Sequence, residues 1–166
     1  MIFIGIDPGL TGAVSIIDHQ GVRAIFDLPT MQAPEVGPDA KVQRKIDGRK
    51  LCDLLLQNCP AGEGAPTVII EKVGTMGGKN NAVQTQGALL RTLGAIESVV
   101  ECLRFQVHYV APKKWKKLYL LKADKAESLE KARGLYPAAA GDLARVKDHN
   151  RAESLLLAHW GKVELS

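Results

Sequence analysis

Two short runs of apolar, β-branched residues, each stopped by a carboxylate, constrain this chain's fold more than any other feature. Ile2 to Ile6 runs into Asp7-Pro8-Gly9, and Thr67 to Ile70 runs into Glu71. Such runs are strands, and the second, apolar throughout, reads as a central buried one. Ala13 to Ile17 follows Gly12 as another strand, and Asp18-His19-Gln20-Gly21 is a hairpin loop into a third, Val22 to Leu28. Leu51, Leu54, Leu55 and Cys59 mark a helix over Arg49 to Cys59, closed by Pro60-Ala61-Gly62. The longest helix covers Ala82 to Leu103, and Phe105 to Val110 is the fifth strand. Lys113 to Tyr119, Asp124 to Leu135 and Arg151 to Trp160 are helical. Three antiparallel strands followed by strands alternating with helices predict an α/β fold, a mixed five-stranded sheet flanked by helices.

With 166 residues, 46% apolar and 24% charged, the chain reads as one soluble domain over residues 1–166. Disordered, collagen-like and disulfide-scaffold classes are excluded. No apolar stretch approaches the roughly 18 residues of a membrane span, and MIFIGIDPG lacks the basic leader of a signal peptide. Cys52, Cys59 and Cys102 are odd in number and form no CxxC, the pattern of reduced, mostly buried thiols in the cytoplasm. Between Pro29 and Gly48 the periodicity dissolves among Pro34, Gly37 and Pro38, which predicts a long, mobile surface loop at about 29–48.

Asp7 and Glu71 sit where apolar strands end, and a carboxylate in such surroundings is costly unless its charge is compensated. Singly, Asp7 could only cap its turn and Glu71 only end its strand. A third acidic cluster opens the last helix in KDHNRAESLLLA, with Asp148 as an N-cap candidate and Glu153 beyond it. Five residues rotate a helix by about 140°, so Asp148 can share a site with Glu153 only from a non-helical position. His149, four before Glu153, has the better helical geometry. Parallel central strands put their C-terminal ends side by side, and a helix packed across them presents its acids to the same point. Carboxylates without a zinc-type Cys/His set favour Mg²⁺, with Mn²⁺ as a substitute. Two such ions about 4 Å apart are a general device for hydrolysing a phosphodiester.

IGIDPGLTG with its hairpin, VIIEKV, the P-KKWKK-(x)₇-K segment and KDHNRAESLLLA together resemble the RuvC family of Holliday junction resolvases, within the ribonuclease H-like superfamily. The HNRAE form is closer to the phage-type, RuvC-like branch. The resemblance covers about residues 1–28, 67–110 and 111–161. It implies an endonuclease that nicks four-way DNA junctions in recombination, repair or phage DNA processing, leaving 5′-phosphate and 3′-hydroxyl ends. It implies that Asp7, Glu71 and Glu153 are metal-binding catalytic acids. The fourth ligand falls to Asp148 for its charge, with His149 as the alternative, because Asn150 is neutral. Lys116 and Lys125 match the lysines that offset charge on the scissile phosphate. The family often has an aromatic wedge after the second acid. Here the run is Lys72-Val73-Gly74-Thr75-Met76, which leaves Met76 or the 77–81 stretch for that role.

The net charge of +4 is local. Residues Leu103 to Gly134 carry Arg104, Lys113, Lys114, Lys116, Lys117, Lys122, Lys125, Lys131 and Arg133 against three acids, as expected of a face that tracks phosphates. Trp115 among these lysines either stacks on a base or anchors a helix to the core. Lys79 and Asn80, before the long helix, lie in a polar entry that suits phosphate or serves only as a loop and cap. Gly87 and Gly94 on that helix permit close approach of another backbone. The resemblance assigns this face to a homodimer interface; packing within one chain is the alternative. An actin-like phosphate-binding fold shares a D-x-G-x-T-G loop, matched by Asp7, Gly9, Thr11 and Gly12, but the chain is short for two such lobes. A non-catalytic branched-DNA-binding protein would leave the acids unexplained.

Overall fold

A computed structural model describes residues 1–33, 39, 43–73, 83–122 and 125–166. Strands β1 (Phe3–Asp7), β2 (Ala13–Ile17) and β3 (Val22–Asp27) form an antiparallel meander. The turn between β2 and β3 is built by Asp18, whose Oδ1 accepts the N–H groups of Gln20 at 2.6 Å and Gly21 at 3.1 Å. Gly21, at a φ of 132°, takes the backbone geometry that this turn needs.

Thr30–Gln32 (β4) and Arg44–Ile46 (β5) pair as an antiparallel ribbon, Thr30 opposite Ile46. This ribbon corrects the expectation of a loop throughout about 29–48, of which residues 34–38 and 40–42 lie outside the described residues. Three-residue strands offer too few apolar positions to show a period, yet Leu28, Ala33 and Ile46 are buried. Asp47 then caps helix α1 (Gly48–Asn58), accepting the Lys50 N–H at 3.1 Å. Strand β6 (Thr67–Glu71), helix α2 (Val83–Cys102), strand β7 (Gln106–Val110) and helices α3 (Pro112–Leu118), α4 (Lys125–Leu135) and α5 (His149–Glu164) follow.

The five-stranded sheet has the order β3-β2-β1-β6-β7, with β1, β6 and β7 parallel. This is the mixed α/β sheet that the sequence predicts. Side chains alternate across it. Ile4, Ile6, Val68 and Ile70 join Leu51, Leu55, Ile96 and Val100 of α1 and α2 in one core. Phe3 and Ile69 face the other way, onto Leu155, Leu156, Trp160 and Trp115. Each of these large side chains contributes roughly 1.5–3 kcal/mol by leaving water.

Helix α5 lies almost on the backbone of β1. A Cβ on Gly5 would sit 1 Å or more inside the 3.4 Å at which ordinary contact begins, against Ser154 O and Ala158 N, both main-chain atoms. Ser154, Ala158 and Gly161 form the small-residue stripe that allows this approach, and Ser15 Oγ meets Ser154 Oγ at 2.7 Å inside the seam. All three cysteines are free: Cys52 is half-buried and Cys59 buried, whereas Cys102 is exposed at the end of α2. Burial pushes the Cys59 thiol up to about 11. No helix among the described residues is long and apolar enough to cross a membrane.

Candidate active site

The parallel register of β1 and β6 pairs Ile6 with Ile70, so the next step sets Asp7 beside Glu71 at the strand ends. Parity sends both carboxylates to the face that α5 covers, because Phe3 and Ile69 already point there. Beyond Asp7 the chain folds back tightly. Gly12 N–H bonds to Gly9 O at 3.1 Å, and a Cβ on Gly12 would collide with the Asp7 carbonyl. The first turn of α5 pins this loop: Asn150 Nδ2 donates to Thr11 O at 2.6 Å.

Glu71 is held from one side by Trp115. The indole Nε1–H donates to Glu71 Oε2 at 2.7 Å, and the Trp115 ring is fully buried. Burial pushes the Glu71 carboxyl above its ordinary value. The Trp115 hydrogen bond and the Lys116 charge pull it down, and the nearby Glu153 charge raises it again. Glu153, on α5, meets Lys116 Nζ at 3.5 Å and accepts a hydrogen bond from Ser128 Oγ at 3.3 Å. Strand β6 and helices α3, α4 and α5 thus meet at two coupled carboxylates, with the Lys116 ammonium as their resident counter-charge. Lys116 also stands 5.1 Å from the centroid of the Trp115 ring.

Asp148 is engaged elsewhere. It is buried in the 3₁₀ turn before α5 and makes no side-chain cap to that helix. Its Oδ1 pairs with Arg145 Nη2 at 2.7 Å and its Oδ2 accepts the Arg145 N–H at 2.8 Å. The Arg145 hydrogen bonds hold its carboxyl below the usual range despite burial. Its further charge neighbours are Arg151 and, through Arg151, Asp27. His149 is half-buried at the first position of α5, four residues before Glu153.

Among the described residues no group of three or more His, Cys, Asp and Glu is close enough to hold a metal ion. The site is therefore an open set: Asp7 and Glu71 adjacent by register, Glu71 and Glu153 coupled by charge. Lys113, Lys114 and Lys117 are exposed on α3, Lys114 lying 5.2 Å from the Trp160 ring centroid, and Lys122 is exposed just beyond. Lys125 opens α4, but its side chain lies outside the described residues, as do Met76, the rest of 77–81, Lys79 and Asn80.

Three contributors were not singled out from sequence as site residues. Trp115 anchors its helix and also holds Glu71, Ser128 reaches Glu153, and Asn150 ties the Asp7 loop to α5. Only Asn150 had a local signal, its three-residue spacing from Glu153.

A scan against protein-family models and a search of curated proteins both find no match. Solved structures do match. Thermus thermophilus RuvC in complex with a Holliday junction substrate superposes with a TM-score of 0.63 at 18% identity, over 98% of this chain and 92% of that one. A second Thermus thermophilus RuvC structure gives 0.58 at 19%, over 98% and 93%. At such identity the likeness is one of fold. The chain has the ribonuclease H-like fold of RuvC over nearly its whole length.

Proposed function

We propose that the protein is a metal-dependent endonuclease that resolves four-way DNA junctions by paired nicks, leaving 5′-phosphate and 3′-hydroxyl ends. The observation that carries this reading is the meeting of Glu71 and Glu153, beside Asp7, at the C-terminal ends of the two central parallel strands. Support comes from the shared fold with a RuvC protein solved on a Holliday junction substrate.

The donor chemistry, not yet the spacing, suits a hard divalent cation: the carboxylates would have to draw closer to share one ion. Asp7, Glu71 and Glu153 offer carboxylate oxygens, the hard donors that such an ion prefers, and Glu71 is largely buried. Asp7, Glu71 and Glu153 would hold Mg²⁺ or Mn²⁺, with His149 as the further ligand, since Asp148 already spends its charge on Arg145. A bound cation supplies Lewis-acid activation of water and stabilises the leaving oxygen. Trp115 fixes the orientation of Glu71 through one oxygen and leaves the other for the site. Lys116 and Lys125 offset the charge that builds on the phosphate. The exposed lysines of α3 hold the flanking backbone.

Two nicks on a two-fold substrate call for two copies. Gly87 and Gly94 on α2 have open space where a Cβ would stand, and among the described residues nothing packs against either position. Sedimentation with and without junction DNA tests the homodimer. The activity is tested by cutting a synthetic four-way junction in Mg²⁺. Asp7→Asn and Glu71→Gln should bind without cutting; cutting equal to wild type would overturn the assignment. Binding in EDTA with no cutting by the wild type in Mg²⁺ would indicate a non-catalytic junction binder instead.

A further inference from the structure

Helix α3 closes on a residue that its backbone does not favour. Leu121 N–H bonds to Lys116 O at 3.0 Å and Leu120 N–H to Lys117 O at 3.2 Å, the two closing bonds of a Schellman turn. Leu120 thereby takes the left-handed position, at a φ of 58°, where glycine or asparagine is at ease. Burial does not compensate, for Leu120 is 85% exposed. Exposed apolar side chains scattered singly are ordinary. Val146 is equally exposed, but its backbone is unstrained. Backbone and solvent both disfavour a leucine at 120.

Its surroundings are as particular. Leu120 and Leu121 line a hollow of about 480 Å³ with Pro112, Lys113, Lys116 and Lys117. From Pro112 to Lys122 there are five lysines and no acid. An apolar protein partner would meet this ring of ammonium groups at a desolvation cost. DNA matches both features, with phosphates for the lysines and base faces for the leucine. The hollow also adjoins the candidate site, because Lys116 on its rim is the residue paired with Glu153.

We propose that Leu120 is an apolar wedge that enters the base stack of branched DNA while Lys113 and Lys117 hold the adjacent phosphates. The inference rests on the junction-cutting reading and adds a side chain that senses unstacked bases, at a position distinct from the 76–81 stretch. A branch point yields to such a wedge more readily than continuous duplex, because its bases are less firmly stacked.

The test uses the whole chain in EDTA and a four-way junction carrying 2-aminopurine beside the branch point. Wild type is expected to raise the fluorescence on binding. Leu120→Gly should bind the junction roughly ten- to a hundredfold more weakly, the span set by burying one leucine side chain. The fluorescence rise should be lost, with affinity for plain duplex unchanged. Glycine suits this backbone, so the variant should melt at or above the wild-type temperature, and Leu120→Phe should keep the rise. A Leu120→Gly protein with wild-type junction affinity and an intact rise overturns the wedge; junction cutting by wild type in Mg²⁺ would then leave the nuclease reading standing. Loss of self-association without loss of junction binding also overturns it and assigns the hollow to a protein contact. Failure of the wild type to bind or cut the junction removes both proposals.

Discussion

Replacing Gly5 by alanine tests whether the seat of α5 on β1 sets the site. The added methyl would meet Ser154 O and Ala158 N, each 1 Å or more inside ordinary contact, with Leu157 Cβ a further neighbour at 3.0 Å. The two worst contacts are main chain, so no rotamer change relieves them. The helix must lift by about 1 Å, and overpacking of this kind costs roughly 1–3 kcal/mol or more. Glu153 directly precedes Ser154 and moves with it, away from Asp7 and Glu71. A displacement near 1 Å at a reacting centre costs about 10²-fold in rate. Urea melts should register the first effect, and single-turnover cutting of a four-way junction in saturating Mg²⁺ the second. Gly134→Ala is the control: it lies on α4 with open space beside it and should be stabilised by roughly 0.5–1 kcal/mol. A Gly5→Ala protein that melts at the wild-type urea concentration and cuts at the wild-type rate would refute the argument.

Glu71→Gln should abolish cutting and also change the pH dependence of stability without metal. Burial raises the Glu71 carboxyl above its ordinary 4.5, so its favourable contribution is present at lower pH and fades as pH rises through the raised value. A series of melting temperatures in EDTA should show a flatter decline for the variant. Asp148→Asn should lower the melting temperature at neutral pH. The Arg145-held carboxyl of Asp148 stabilises above the unfolded value and loses that effect as pH falls through the depressed one, so the two melting curves should converge in acid. Junction cutting by folded Asp148→Asn is expected to persist; its loss with the fold intact would place Asp148 at the metal. Trp115→Phe keeps a ring but removes the donor to Glu71. It should cost about 1.5–3 kcal/mol by chemical denaturation, the worth of a hydrogen bond to a charged group, and slow cutting.

The sheet was legible because its signal is local. Ala13–Ile17 falls where the sequence places it, and the strands ending at Asp7 and Glu71 emerge from apolar runs that need no partner to be read. The adjacency of those two acids required only parallel pairing of the two runs. The ribbon β4–β5 was hidden because three residues cannot show alternation. Asp148 looked like a helix cap, but an arginine three residues earlier competed for its carboxylate and won. Trp115 stood open between a base-stacking ring and an anchor, and its full burial makes it the anchor. Its role toward Glu71 was invisible, since the two meet across 44 residues through tertiary packing alone.

The seam in which Ser15 touches Ser154 also orders events in time. Its partners are 139 residues apart, and Asn150 reaches Thr11 across the same span. Loops this long close late and reward little until they close. A chain emerging from the ribosome therefore carries Asp7 and Glu71 long before Glu153 can join them. Until α5 docks, one apolar face of the sheet lies bare and invites aggregation. The docking that hides this face is the same event that brings Glu153 to Glu71, so an unfinished molecule lacks the assembled carboxylates.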